Sequence, residues 1–222
     1  MRELRRKPSN QRSQAIVDAI LVAAGKILVE QGYSRFNTNE LARRAGVSIG
    51  TLYHYFDNKE SIVTALRRVH QRDVREALVG VLDNAHGLEP LELIRQLVRT
   101  DIDIHQRDPA LHRVLSQAIP HIGPLEMVSE NDPDNDLTRL YKALHAAIAD
   151  LTETPLTDER AEDQAINQIN TCGHIIEALV HAFVVYTDTE INPQAVEDHI
   201  MQVITAYLSS QGAMQNTERV IA

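Results

Sequence analysis

The sequence predicts an all-α protein. Apolar residues recur at helical spacing almost throughout its 222 residues, and no sustained period-two alternation runs between turn residues. Glycines, prolines and capping pairs punctuate the chain at helix-length intervals. A first helix over about 11–31 buries a stripe of Ile16, Ile20, Ala23 and Ile27 and stops at Gly32. Asn37 with Glu40 three residues on has the form of a capping box; it opens a second helix over about 38–45, which Gly46 ends in a left-handed turn. Ser48 is placed to cap a third helix, about 49–55. Asp57 with Glu60 repeats the box spacing and opens a long fourth helix carrying Ile62, Leu66, Val69, Ala77 and Val81 on one face.

Beyond Asn84-Ala85-His86-Gly87 the composition turns acidic and the helices lengthen. Helices over about 89–107 and 109–119 meet at Asp108-Pro109, proline being tolerated as a first helical residue. The stretch 120–136 reads as a loop. Further helices over about 137–151, 158–187 and 193–210 are separated by Thr154-Pro155 and Asn192-Pro193. At 43% hydrophobic the chain can bury a real core, and no apolar run reaches the length of a bilayer. The opening residues MRELRRKPSN lead into an amphipathic segment rather than an apolar signal region, so the expected location is cytoplasmic. Cys172, the single cysteine, excludes an intramolecular disulfide and suits a reducing compartment.

A net charge of −9 argues at first against a polyanionic partner, but its distribution reverses the inference. Residues 1–75 hold 14 Lys/Arg against 7 Asp/Glu, a balance of +7, which leaves −16 on the remainder. One end of the chain is suited to an anion. The stretch 37–59, NTNELARRAGVSIGTLYHYFDNK, gives that end its form. Leu41, Ala45, Val47, Leu52 and Tyr55 fall where two steeply crossing helices share a core, Ala42 is small enough to admit the second helix, and Gly46 makes the turn. Left over on the surface are Ser48, Ile49, Gly50, Thr51, Tyr53 and His54, small or hydrogen-bonding residues on the exposed face of the second helix.

This arrangement resembles the DNA-binding domain of the tetracycline-repressor (TetR/AcrR) family. The likeness covers roughly 12–70 and joins Gly32-Tyr33, Glu40-Leu41-Ala42, Ala45-Gly46-Val47-Ser48, Gly50-Thr51-Leu52-Tyr53, Tyr55-Phe56 and Lys59-Glu60. It implies a recognition helix near 49–55, phosphate contacts from Thr38, Tyr53, Tyr55 and Lys59, and base-edge contacts from among Asn39, Ile49, Gly50 and Thr51. Ser48, His54, Arg43 and Arg44 complete the candidate DNA-binding set, the two arginines reading equally as a solvated face. Phe56 reads as a core aromatic. Lys59 sits in a first helical turn, where a cation opposes the helix dipole, which favours a phosphate-binding role. The basic residues Arg2, Arg5, Arg6, Lys7 and Arg12 read equally as a solubilising tail and as a reach toward backbone or minor groove. The domains expected are therefore a basic tail at 1–11, the helix-turn-helix domain at 12–70, a helical ligand-binding and dimerisation domain at 71–212 entered by the long fourth helix, and a C-terminal tail at 213–222.

In the helix over 158–187 the apolar stripe is wider than one-sided packing needs, which calls for burial on several sides. With the last helix it suggests a four-helix bundle across a two-fold axis, with Ile169, Gly173, Ile176, Phe183, Val196, Ile200, Val203 and Tyr207 at a homodimer interface. Two recognition helices about 34–36 Å apart would read an inverted-repeat operator in double-stranded DNA. The family resemblance implies release by a small-molecule effector, here of unknown identity, and the candidate pocket residues are His105, Leu115, Tyr141, His145, His174, Ile176, Val180 and His181. The few aromatics slightly favour an aliphatic or acyl effector over a flat planar one.

Ten histidines raise a metal hypothesis, through Asp101, His105 and His112 or through His174, Glu177 and His181, but neither set has a compact zinc signature; no cofactor and no metal is expected. The run Asp132-Pro133-Asp134-Asn135-Asp136 starts like a calcium loop and fails at Leu137 and Ala143. No phosphate-cradling glycine loop or nucleophile elbow supports an enzyme. The sequence reading is thus of a repressor, not an enzyme, with a helix-turn-helix regulator lacking an inducer as the alternative and an all-α enzyme as a remoter one.

Overall fold

The computed structural model describes residues 4–118, 136–151, 159–187 and 192–221. These form α1 (Gln11–Gln31), a 3₁₀ turn at Tyr33–Arg35, α2 (Thr38–Arg44), α3 (Ile49–Tyr55), α4 (Lys59–Leu82), α5 (Pro90–Arg107), α6 (Pro109–Ala118), α7 (Asp136–Leu151), α8 (Glu159–Val180) continued by a π-helical turn at His181–Val185, and α9 (Pro193–Ile221). Among the described residues there is no strand, as the sequence predicts. None of these helices is long and apolar enough to cross a membrane. The predicted calcium-like run and the loop over 120–136 lie outside the described residues, apart from the first residue of α7.

The chain divides into two compact units. The first gathers the residues through Asp73 together with α6. Its core is built from Val17, Ile20, Ala24, Ile27 and Leu28 of α1, Leu41 of α2, Leu52 and Tyr55 of α3, Phe56, and Ile62, Val63 and Leu66 of α4. Each such Val, Leu, Ile or Phe side chain contributes about 1.5–3 kcal/mol on burial. Leu111, Val114 and Leu115 of α6, spaced to lie on one helical face, close this core from the side of α1. Leu115, a candidate pocket residue, is therefore a core residue of the first unit, and α6 packs with the N-terminal helices although sequence order groups it with the second half.

Capping follows local chemistry. Asn10 and Ser13 form a reciprocal box at the start of α1. At α4 the box is Asn58 with Ser61: the Ser61 amide donates to Asn58 Oδ1 at 2.8 Å and the Asn58 amide to Ser61 Oγ at 3.3 Å. This corrects the expected Asp57–Glu60 pair by one residue, because the Glu60 carboxylate accepts from the Tyr33 hydroxyl at 2.9 Å.

The second unit packs α5, α7, α8 and α9 around Ile94, Val98, Ile102, Ile148, Ile169, Val180, Ile200 and Ile204, while Val79, from the Val74–Leu82 part of α4, joins Leu93, Leu97, Leu140 and Ala147 in a smaller cluster. One ion-pair group ties α5 to α9. Glu197, 3% exposed, accepts from Arg95 Nη1 at 2.9 Å and from Arg99 Nε and Nη2 at 2.8 and 3.0 Å. These guanidinium groups, Arg99 first, hold the Glu197 carboxyl below the usual carboxylate range against the opposing effect of burial. The continuous helix expected over 158–187 gives way at His181 to a π turn, closed by the Tyr186 amide on the His181 carbonyl at 2.9 Å.

Candidate nucleic-acid interface

The helix pair α2–α3 is a relief set on the first core. Asn37 Oδ1 accepts from the amides of Asn39 and Glu40 at 2.8 and 3.4 Å and so starts α2. The reciprocal arm of the expected capping box is replaced by tertiary bonds, since the Glu40 carboxylate accepts from Arg44 Nε at 2.9 Å and Gln31 Nε2 at 3.2 Å. Gly46, at φ 69°, lies in the left-handed region that favours glycine. Its amide donates to the Arg43 carbonyl at 3.3 Å and that of Val47 to Ala42 at 3.0 Å, the paired bonds of a Schellman turn. Ser48 then caps α3: its Oγ accepts from the Thr51 amide at 3.0 Å and shares a hydrogen bond with Thr51 Oγ1 at 2.8 Å.

On α3, Leu52 and Tyr55 point into the core while Ile49 and Tyr53 are 38% and 39% exposed. Ser48, Gly50 and His54 share that exposed face, and Thr51 is half-buried at its margin. The Tyr53 and Thr38 hydroxyls lie 3.1 Å apart and bridge α3 to the first turn of α2, where Asn39 is exposed. Lys59 is half-buried, its ammonium 4.6 Å from the centre of the Tyr33 ring, a cation–π contact that positions it. Burial, with the Glu60 hydrogen bond and charge, raises the Tyr33 phenol above its ordinary range, keeping that ring neutral.

The candidates divide by placement. Gly50, Tyr53 and His54 line one concavity and Tyr53 is joined to Thr38, while Asn39, Ser48 and Ile49 are exposed and Thr51 and Lys59 half-buried. Tyr55 and Phe56 are buried in its core, Tyr55 retaining only a sliver of surface. Arg44 is engaged by Glu30 and Glu40, whereas Arg43 is exposed and has no ion pair among the described residues. The N-terminal segment supplies what was left open in the sequence: the Arg5 amide donates to the Tyr55 carbonyl at 2.8 Å, and Arg5 and Arg6 border an open concavity with Gly50, Tyr53 and His54. Nothing in the spacing of RELRRKP announces that attachment, which depends on Leu4 packing against the core.

In the second unit, His105 is buried and its Nδ1 donates to the Asp101 carbonyl at 2.7 Å, with its ring 5.2 Å from that of His181. Burial raises the Asp101 carboxyl, opposed by His105 and reinforced by Glu177. Val180 is fully buried, Ile176 and His145 are half-buried, and His174 is exposed, its Nδ1 donating to the Asn170 carbonyl at 2.6 Å. The Tyr141 side chain lies outside the described residues. Of the candidate interface residues, Ile169, Val196 and Ile200 are buried within the single chain. Gly173, Ile176, Val203 and Tyr207 are half-buried, and Phe183 is 38% exposed against the edge of His199.

Comparison with known proteins agrees with this geometry. Residues 20–66 match the family model for bacterial regulatory proteins of the tetR family. The chain is 33% identical over 116 residues to an HTH-type transcriptional regulator of Mycobacterium tuberculosis, a match covering 52% of this chain and 56% of that protein. It is 33% identical over 118 residues to the HTH-type transcriptional repressor KstR of Rhodococcus jostii, covering 52% and 51%. The chain thus spans about half the length of the curated relatives it matches. The structure of AibR in complex with isovaleryl coenzyme A and operator DNA is similar at a TM-score of 0.55, with 17% identity, over 85% of this chain and 97% of that one, a likeness of fold alone.

Proposed function

We propose that the chain is, through its helix-turn-helix, a member of the tetR family of bacterial regulatory proteins, and that it represses transcription as a homodimer on an inverted-repeat operator and is released by a small molecule. The observation that carries the reading is the exposed face of α3. Ser48, Ile49, Gly50, Tyr53 and His54 are turned outward by a core that takes Leu52 and Tyr55, and the first helical turn is capped without using the outward groups of Ile49 and Tyr53. A helix so displayed fits a major groove, with Thr38, Tyr53 and Lys59 as phosphate contacts and Asn39, Ile49, Gly50 and Thr51 facing base edges. Repression is supported by the likeness to KstR, a repressor.

For the effector, the second unit offers a polar group, the buried Asp101 and His105 with the half-buried His181, alongside an aliphatic core. That combination suits an acyl chain with a polar end. AibR, of the same fold, is a protein whose complex holds an acyl thioester of coenzyme A together with operator DNA. Dimerisation falls to α8 and α9, with Phe183, Val203 and Tyr207 supplying the exposed or half-buried apolar surface.

The test is selection of duplexes from a randomised 40-base-pair pool, followed by footprinting and by titration of the complex with a series of acyl coenzyme A thioesters. A palindromic consensus protected by a dimer, and release by one chain-length class, are expected. Selection without any enriched sequence overturns the operator reading. An enriched palindrome unmoved by acyl thioesters and by a broad metabolite panel favours a regulator without an inducer.

A further inference from the structure

We propose that Leu4–Lys7 form a fixed cationic arm whose Arg5 and Arg6 guanidinium groups hold phosphates of the duplex that α3 reads. This rests on the DNA-binding reading above and adds to it a contact outside the helix-turn-helix.

A basic N-terminus is ordinarily a solvated tail, and three observations separate this segment from one. It is tied at both ends. On one side Leu4 packs against the first core and the Arg5 amide donates to the Tyr55 carbonyl at 2.8 Å, satisfying one of the unpaired carbonyls at the end of α3. On the other, Pro8 restricts the backbone and the Ser9 and Asn10 amides both donate to Ser13 Oγ, at 2.9 and 3.0 Å. Only three residues separate these anchors, so ordering the arm on DNA costs little conformational entropy.

The arm also stands beside the presented face. Arg5 and Arg6 border the same concavity as Gly50, Tyr53 and His54, and Gly50 is not held small by packing, since an added Cβ would meet only Ser48 Oγ, at 3.7 Å. Its charge is not consumed within the protein. Among the described residues Arg6 forms no ion pair, and Arg5 meets Asp57 only at 3.8 Å with both groups exposed, an attachment that a phosphate readily displaces. Phosphate rather than base edges is the fitting occupant. The arm is anchored to the carbonyl of Tyr55, the last residue of α3, and borders Tyr53, a phosphate contact of the reading above, whereas of the residues given to base edges it borders Gly50 alone.

The experiment measures the salt dependence of binding by fluorescence anisotropy, using the duplex selected by the wild-type chain and a scrambled duplex of equal composition. R5A/R6A leaves the Leu4 packing and the main-chain bond in place, and unchanged circular dichroism and urea midpoint establish that it folds. Loss of two phosphate contacts lowers the slope of log K against log salt by about 1.8, so that the wild-type advantage shrinks about tenfold between 50 and 200 mM salt. The effect is expected on both duplexes. R5K/R6K should restore the slope, because a phosphate accepts a point charge. Wild-type binding with an unchanged slope in R5A/R6A overturns the arm alone. A lost slope that lysine fails to restore, or a loss confined to the selected duplex, overturns the phosphate assignment. Wild-type protein that binds neither duplex overturns both this inference and the reading beneath it.

Discussion

Replacing Ser48 by aspartate separates holding α3 together from offering it to DNA. Ser48 Oγ accepts from the Thr51 amide at 3.0 Å, and Asp is as good an acceptor at this position, with its charge favoured by the helix dipole. S48D should therefore unfold within about 0.5 kcal/mol of wild type, whereas S48A, which loses the cap, should be less stable by about 1 kcal/mol. Binding should order the variants the other way. A carboxylate about 6 Å from a phosphate at an effective dielectric constant of about 20 is repelled by about 3 kcal/mol, roughly a hundredfold in affinity at low salt. S48A should lose only about fivefold, through the weaker helix. Urea denaturation followed by circular dichroism gives the first quantity and anisotropy on the selected duplex the second. S48D binding within threefold of wild type at 50 mM salt would refute the orientation of α3, and S48D as unstable as S48A would refute the capping argument.

Thr51→Ala should change the preference among operator variants, and Lys59→Ala should weaken binding to every duplex and lower the salt slope by about 0.9; an intact preference in T51A removes the base-contact assignment. Glu197→Gln should cost about 1–3 kcal/mol at pH 7, below the penalty for a fully buried pair because Arg95 and Arg99 are 33% and 50% exposed. The sign with pH follows from the lowered folded-state carboxyl: the stabilisation is present above the unfolded value near about 4.3 and is lost as pH falls through the folded one. Urea midpoints of wild type and E197Q should thus converge progressively as pH falls below about 5, and a difference that stays constant on acidification would count against the ion-pair account. Burial pushes the Cys172 thiol up to about 12, so iodoacetamide at pH 8 should label it only in denaturant; rapid labelling of the folded protein would contradict its placement in the core of the second unit.

The parts legible in the sequence are those decided within a turn or two of backbone. The bounds of α1 and α3, the left-handed Gly46, the Ser48 cap and the inward Phe56 follow from side-chain type and spacing, and the structure has them where the pattern puts them. What the pattern missed depends on partners distant in sequence. Glu40 and Glu60 have capping-box spacing, yet both carboxylates are drawn to groups outside their first turns: Gln31 and Arg44 for one, Tyr33 for the other. Asn58-x-x-Ser61 then takes the cap, an equally good local solution. Leu111, Val114 and Leu115 announce a buried face but not the α1 side of the first core that they cover. Glu197 carried no signal, because its burial is made by two arginines about a hundred residues earlier.

The same division separates what holds α3 in place from what it displays. Helices of seven residues do not persist alone in water, so α2 and α3 take their geometry from what they cover. Leu41, Leu52 and Tyr55 supply that cover, the Schellman turn fixes the angle between the two helices, and the Arg5 amide completes the far end of α3. Each anchor is separate in sequence from the outward residues. Of the outward set, Ile49, Gly50 and His54 are consequently free to vary in chemistry without loss of fold, Tyr53 being joined to Thr38, while any change that loosens Leu52 or Gly46 displaces every outward group together. On the proposed reading, one scaffold of this kind can serve many operators, because the side chains offered to the duplex are largely those on which the fold makes no demand.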